Sequence, residues 1–147
     1  MGLNRRTFMQ HSLMTTAFAG LGAVYPISSL AQNNGVRPAP MMPEPSFVET
    51  NGISMVVYEK GSGPAVVFCH GFPELAFSWR SQIDAVAAAG YHAIAPDLRG
   101  YGLTGGPDDP MQYDMGIFCD DLIGILDAKG IDKAVFVGHD WGGALVW

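Results

Sequence analysis

With 147 residues, 48% of them apolar and 15% charged, the chain has room for one globular domain and is too apolar for a disordered one. Fourteen Asp and Glu outnumber eight Lys and Arg, for a formal charge of −6, so nothing basic is set out to meet phosphates and nucleic acid is a poor partner. Two cysteines, Cys69 and Cys119, lack metal-ligand or redox spacing; both lie in apolar runs and read as buried thiols.

The first segment reads as an address rather than as fold. Arg5-Arg6 precedes a weakly apolar stretch at 12–30, and Ser29-Leu30-Ala31 offers small residues where a signal peptidase reads, leaving Gln32 as the first mature residue. Residues 1–31 therefore look like a twin-arginine export signal, which places the mature chain in the periplasm or outside the cell. The alternative is an uncleaved membrane anchor, against which Thr15, Thr16, Gly20, Gly22 and Pro26 argue. Without the leader, 6 Lys and Arg face 14 Asp and Glu, a charge of −8. Residues 32–45, with Pro38, Pro40, Pro43 and Pro45, read as an extended linker.

From residue 46 onward the pattern is that of a domain. Runs at 47–49 and 53–59 flank Asn51-Gly52, a two-residue hairpin signal. The unbroken apolar run 65–69 suits a strand buried on both faces. A helix follows, capped by Ser78, with Trp79, Ile83, Val86 and Ala87 at helical spacing and Gly90 as its stop. Residues 91–95 form another strand, and 96–110 are rich in turn residues. Asp114 opens a second helix whose stripe is Met115, Phe118, Cys119, Leu122, Ile123 and Leu126, closed by Gly130. The last strand, 133–137, runs into Gly138-His139-Asp140-Trp141-Gly142-Gly143. A hairpin followed by strand–helix–strand–helix–strand implies an α/β fold with a mostly parallel sheet.

Several motifs are decoys. Gly100 to Gly105 matches G-x-G-x-x-G, but Pro107 and Pro110 interrupt the helix that a dinucleotide fingerprint must open. Asp108-Asp109 and Asp120-Asp121 read as solvated acids, and His70 with Glu74 lacks the further ligands of a metal site. No cofactor or metal is implied.

The 138–143 stretch has the form of a nucleophile elbow, with Asp140 at its apex. Gly138 and Gly142 flank it because a sharp strand-to-helix turn leaves no room for side chains there. His70-Gly71-Phe72-Pro73-Glu74 ends the strand 65–69, and in a parallel sheet that loop and the elbow share one crevice. The backbone N–H groups of Phe72 and Trp141 then point at a common spot and form an oxyanion hole. His70 reads as a buried ring that holds the loop, and His139 as a structural residue turned away from Asp140.

Taken together, HGFPE (70–74), PDLRGYG (96–102) and GHDWGG (138–143) resemble the epoxide hydrolases of the α/β-hydrolase fold over about the last hundred residues. The resemblance implies that residues 46–147 form the N-terminal part of such a domain. It implies a small apolar epoxide or related electrophile as substrate, water as co-substrate, and Asp140 as the nucleophile that forms an alkyl ester. Haloalkane and haloacetate dehalogenases are sister enzymes with an aspartate nucleophile. The former usually carry Asn where Phe72 stands and the latter Arg where Trp141 stands, so both positions favour the epoxide. The resemblance further implies a late histidine, an acid to orient it and lid tyrosines. None of these follows Asp140 here, so the expectation is a partial domain, inactive as written, with strand 133–137 as an apolar edge. The alternatives are a dehalogenase and a non-catalytic remnant acting through association.

Overall fold

The computed structural model describes residues 40–147; the leader at 1–31 and most of the linker expected at 32–45 lie outside the described residues. Strands β1 (Pro45–Thr50) and β2 (Ile53–Lys60) form the expected antiparallel hairpin, with Thr50 opposite Ile53. Asn51 and Gly52 both take positive φ, 46° and 78°, as the two central residues of such a tight turn must. Three further strands complete one sheet: β3 (Ala65–Cys69), β4 (His92–Pro96) and β5 (Ala134–Gly138). Their order is β1-β2-β4-β3-β5, with β4, β3 and β5 parallel. This is the expected hairpin followed by a parallel α/β sheet, and β5 is an edge among the described strands.

Helices cover both faces. β3 is buried along its whole length, and its side chains alternate between two clusters. Val66 and Phe68 pack with Ile83 of α1 (Arg80–Ala88) and with Ala93 and Ala95. Val67 and Cys69 pack on the other face with Leu122, Ile125 and Leu126 of α2 (Met115–Ala128) and Leu145 of α3 (Trp141–Val146). Gly124 lets α2 settle on β1, where a Cβ would strike the Thr50 side chain. Among the described residues no helix is long and apolar enough to cross a membrane.

Three local expectations are corrected. Ser78 does not cap α1: the chain enters through a 3-10 turn, Ala76–Trp79, and the Ser78 hydroxyl donates to the Leu75 carbonyl at 2.9 Å. The N–H of Ala76 is instead taken by the Asp97 carboxylate at 2.9 Å, so a distant acid does the work of a local serine. The stripe of α2 runs through Met115, Phe118, Leu122, Ile125 and Leu126, while Ile123 is 45% exposed. Ile125 holds the place expected for Ile123 because it lies three residues beyond Leu122 on the same face. Cys119 shares the stripe's spacing yet is exposed at its border, where its Sγ reaches the Leu145 carbonyl at 3.8 Å, and only Cys69 is a buried thiol, pushed up to about 12 by burial. Asp114 caps α2 as expected, accepting from the Gly116 N–H at 2.8 Å.

Candidate active site

The carboxyl ends of the parallel strands lie at one edge of the sheet. Cys69 pairs with Gly138, and the ladder runs one step further through the His139 N–H to the Cys69 carbonyl at 3.3 Å. That register sets the loop 70–74 beside the turn between β5 and α3. Asp140 sits in that turn at φ 54°, ψ −121°, a conformation costing a non-glycine residue about 1–3 kcal/mol. The tight crossing around it holds it there. A Cβ on Gly138 would overlap the Gly142 carbonyl, and one on Gly142 would overlap the Cys69 carbonyl.

The two glycines after Trp141 are therefore not equivalent. A Cβ on Gly143 would find its nearest neighbour at 3.7 Å, an ordinary contact. Gly142→Ala is expected to lose at least about 1–3 kcal/mol in urea denaturation, because rigid backbone cannot yield. Gly143→Ala should stay within roughly 0.5 kcal/mol of the parent.

The Asp140 carboxyl meets two backbone donors. The Phe72 N–H donates to Oδ1 at 2.9 Å, and the neighbouring Trp141 N–H acts on the same carboxyl as the second favourable backbone dipole. Gly71 permits this approach, since a Cβ there would stand 2.6 Å from the Cβ of Asp140. The Phe72 donor first, then that of Trp141, hold the Asp140 carboxyl below the usual carboxylate range; desolvation opposes them, and the charge of His139 adds to them. Asp140 is exposed, with Pro73 exposed beside it in the loop.

The remaining expected residues are placed as follows. His70 is fully buried: its Nε2 accepts the Leu98 N–H at 3.0 Å, its Nδ1 meets the Gly71 carbonyl at 2.9 Å, and its ring stands edge-on to Tyr101. His139 turns to Glu74, with Nδ1 3.6 Å from the carboxylate. A cleft of about 630 Å³ opens over Gly71, Phe72 and Trp141, walled mainly by Leu98, Tyr101, Tyr113, Met115, Phe118 and Leu145. Among the described residues no three His, Cys, Asp or Glu side chains are grouped to hold a metal ion.

Polar residues that support the site lie in the turn-rich segment after β4. The glycine-rich stretch 100–105 opens no helix; it folds back on itself through the Gly100 N–H and the Gly105 carbonyl. Thr104 donates to the Asp97 carbonyl at 2.6 Å and accepts the Val56 N–H at 3.0 Å, pinning the loop to β2. Asp121, expected as a solvated acid, is 1% exposed and grips Arg99, also 1% exposed, at 2.6 and 2.8 Å. Its position on α2, three residues after Phe118 and four before Ile125, is the signal that marks it as inward-facing. Asp108, Asp109 and Asp120 are exposed as expected.

Residues 64–147 match the alpha/beta hydrolase fold family. Among curated relatives, the epoxide hydrolase of Caballeronia sordidicola is 55% identical over 100 residues, 68% of this chain and 30% of that protein. Epoxide hydrolase A of Mycobacterium tuberculosis is 50% identical over 107 residues, 71% of this chain and 33% of that protein. Among solved structures, potato epoxide hydrolase I superposes with a TM-score of 0.67 at 44% identity, covering 71% of this chain and 34% of the potato chain. The chain thus spans about a third of the length of the relatives it matches. Sheet order, elbow and matched span agree, and the chain belongs to the α/β-hydrolase fold family of hydrolases.

Proposed function

We propose that this chain carries the nucleophilic half of an epoxide hydrolase, with Asp140 as the attacking group. The observation that supports it best is the Asp140 carboxyl at the apex of the elbow, held on the Phe72 N–H at 2.9 Å beside the N–H of Trp141. In this reaction a carboxylate oxygen attacks an epoxide carbon, the carbon–oxygen bond breaks, and the ring oxygen leaves as an alkoxide that takes up a proton. The resulting ester has Asp140's own carboxyl as its acyl group. Water adding to that carbon develops negative charge on an Asp140 oxygen, where the two N–H groups already point. Losing one such donor costs on the order of 3 kcal/mol in the barrier. Collapse releases the diol and restores the carboxylate.

The second step needs a base to deprotonate the water. Of the described histidines, His70 is spent on backbone groups, His92 bonds Glu59, and His139 faces Glu74. Ester cleavage therefore calls for a base from outside the described residues. The apolar cleft suits a small epoxide of low polarity, and Arg5-Arg6 ahead of the weakly apolar stretch 12–30 supports an export signal and a reaction outside the cytoplasm.

The experiment is incubation with styrene oxide in heavy-oxygen water. Trypsin cleavage after Lys133 leaves peptide 134–147, which should gain the mass of one epoxide on Asp140. Where cleavage of the ester follows, the diol of the first turnover should carry ordinary oxygen, and the label should enter the Asp140 carboxyl. Label entering the diol directly would overturn the ester route. Halide release from a haloalkane, with no reaction towards the epoxide, would favour the dehalogenase reading.

A further inference from the structure

The Phe72 N–H and the Gly71 carbonyl belong to one planar peptide unit, in which they point opposite ways. Whatever holds the carbonyl therefore aims the N–H. Two donors hold it: the Glu74 N–H at 3.0 Å, closing the loop's own turn, and the ring of His70 at 2.9 Å. The role of the ring is set from its other side. The Leu98 N–H can only donate, so Nε2 must accept, and the proton of the neutral imidazole sits on Nδ1 facing the Gly71 carbonyl. Leu98 itself belongs to the loop fixed through Asp97, Thr104 and Arg99.

We infer that His70, fixed as its Nδ1–H tautomer by the Leu98 N–H, is a positioning residue that orients the Gly71–Phe72 peptide so that its N–H addresses Asp140. The ring acts through the peptide, and its bonds run to backbone on both sides. Donation to the carbonyl also polarises the peptide and strengthens the opposite N–H as a donor. The consequence for ester chemistry rests on the function proposed above. The geometric role does not, and the two are separable by experiment.

Two substitutions divide the ring's two bonds. His70→Asn presents an amide NH2 near the place of Nδ1 and keeps the Gly71 bond, whereas His70→Gln reaches the place of Nε2 and keeps only the Leu98 bond. The measurement is a carbon NMR titration of the Asp140 carboxyl in the full chain. The parent and His70→Asn should titrate below the usual carboxylate range, and His70→Gln should move upward. The charge of His139, which acts on Asp140, and that of Glu74 beside it are common to all three proteins. Equal midpoints in the three folded proteins would overturn the inference. If His70→Gln does not fold, nitrogen NMR of the parent decides. A proton on Nδ1, with coupling from the Leu98 amide into Nε2, supports the role; a proton on Nε2 overturns it. Failure of the parent to form an epoxide adduct at Asp140 would reject the proposed reaction and leave both readouts intact.

Discussion

Asp140→Asn is expected to abolish the epoxide adduct on peptide 134–147 while leaving the fold in place. The amide keeps an oxygen for the Phe72 N–H but gives up the charge that makes a carboxylate attack carbon. Loss of a nucleophile of this kind lowers the rate by about 10⁴-fold or more, which intact-mass time courses resolve easily. Stability should hold, because Asn tolerates positive φ at least as well as Asp. Adduct formation with unchanged rate in Asp140→Asn would remove Asp140 from the reaction. The parent's pH profile is a second arm. With the carboxyl held below the usual range by two N–H donors, the adduct rate should stay level from neutral pH down through the range where ordinary carboxylates protonate. It should fall only below that range. The linkage has the same sign. A carboxyl lowered in the folded state favours folding above its unfolded value, and that contribution is lost as pH falls through the folded one. Asp140→Asn should lose this dependence.

Arg99→Ala should be the most damaging change to stability outside the elbow. It strands the Asp121 carboxylate in a site 1% exposed and frees the Asn51 carbonyl, which accepts from Arg99 at 3.2 Å. Removing one partner of a buried pair costs about 3–5 kcal/mol, a large share of the 5–15 kcal/mol that holds a typical domain. Asp121→Ala should cost a similar amount. Arg99→Met with Asp121→Leu should cost clearly less than the sum, since no charge is left buried alone. Urea denaturation of the four proteins checks this, and strict additivity of the single losses would overturn the account. The damage should also reach the site, because Arg99 follows Leu98, whose N–H sets the His70 ring.

Much of this protein follows from local chemistry along the chain. Asn51-Gly52 specifies a tight hairpin whatever surrounds it, since few other pairs accept positive φ twice. The run 65–69 has no polar alternation and so must be a strand covered on both faces. Paired glycines around Asp140 announce a turn in which backbone meets backbone, and the structure has the carbonyls of Gly142 and Cys69 where Cβ atoms would stand. Parallel strands then oblige the 70–74 loop and the elbow to share an edge. Fold class and the gathering of Phe72, Asp140 and Trp141 were therefore both legible.

Tertiary structure decided what depends on partners far apart in sequence. Ser78 is a good local cap, yet Asp97, some twenty residues on, supplies the carboxylate that α1's entry turn uses. Asp121 looks like one acid of a solvated pair until Arg99 and Asn51 close on it from two other elements. The aim of the Phe72 N–H likewise depends on a ring whose tautomer is chosen by Leu98, in a different loop. Turns, strands and close approaches are settled by each residue's own sterics, which a sequence displays directly. The pairing of buried polar groups is settled by which donors and acceptors the folded chain brings within about 3 Å, and only the packed sheet with its loops determines that.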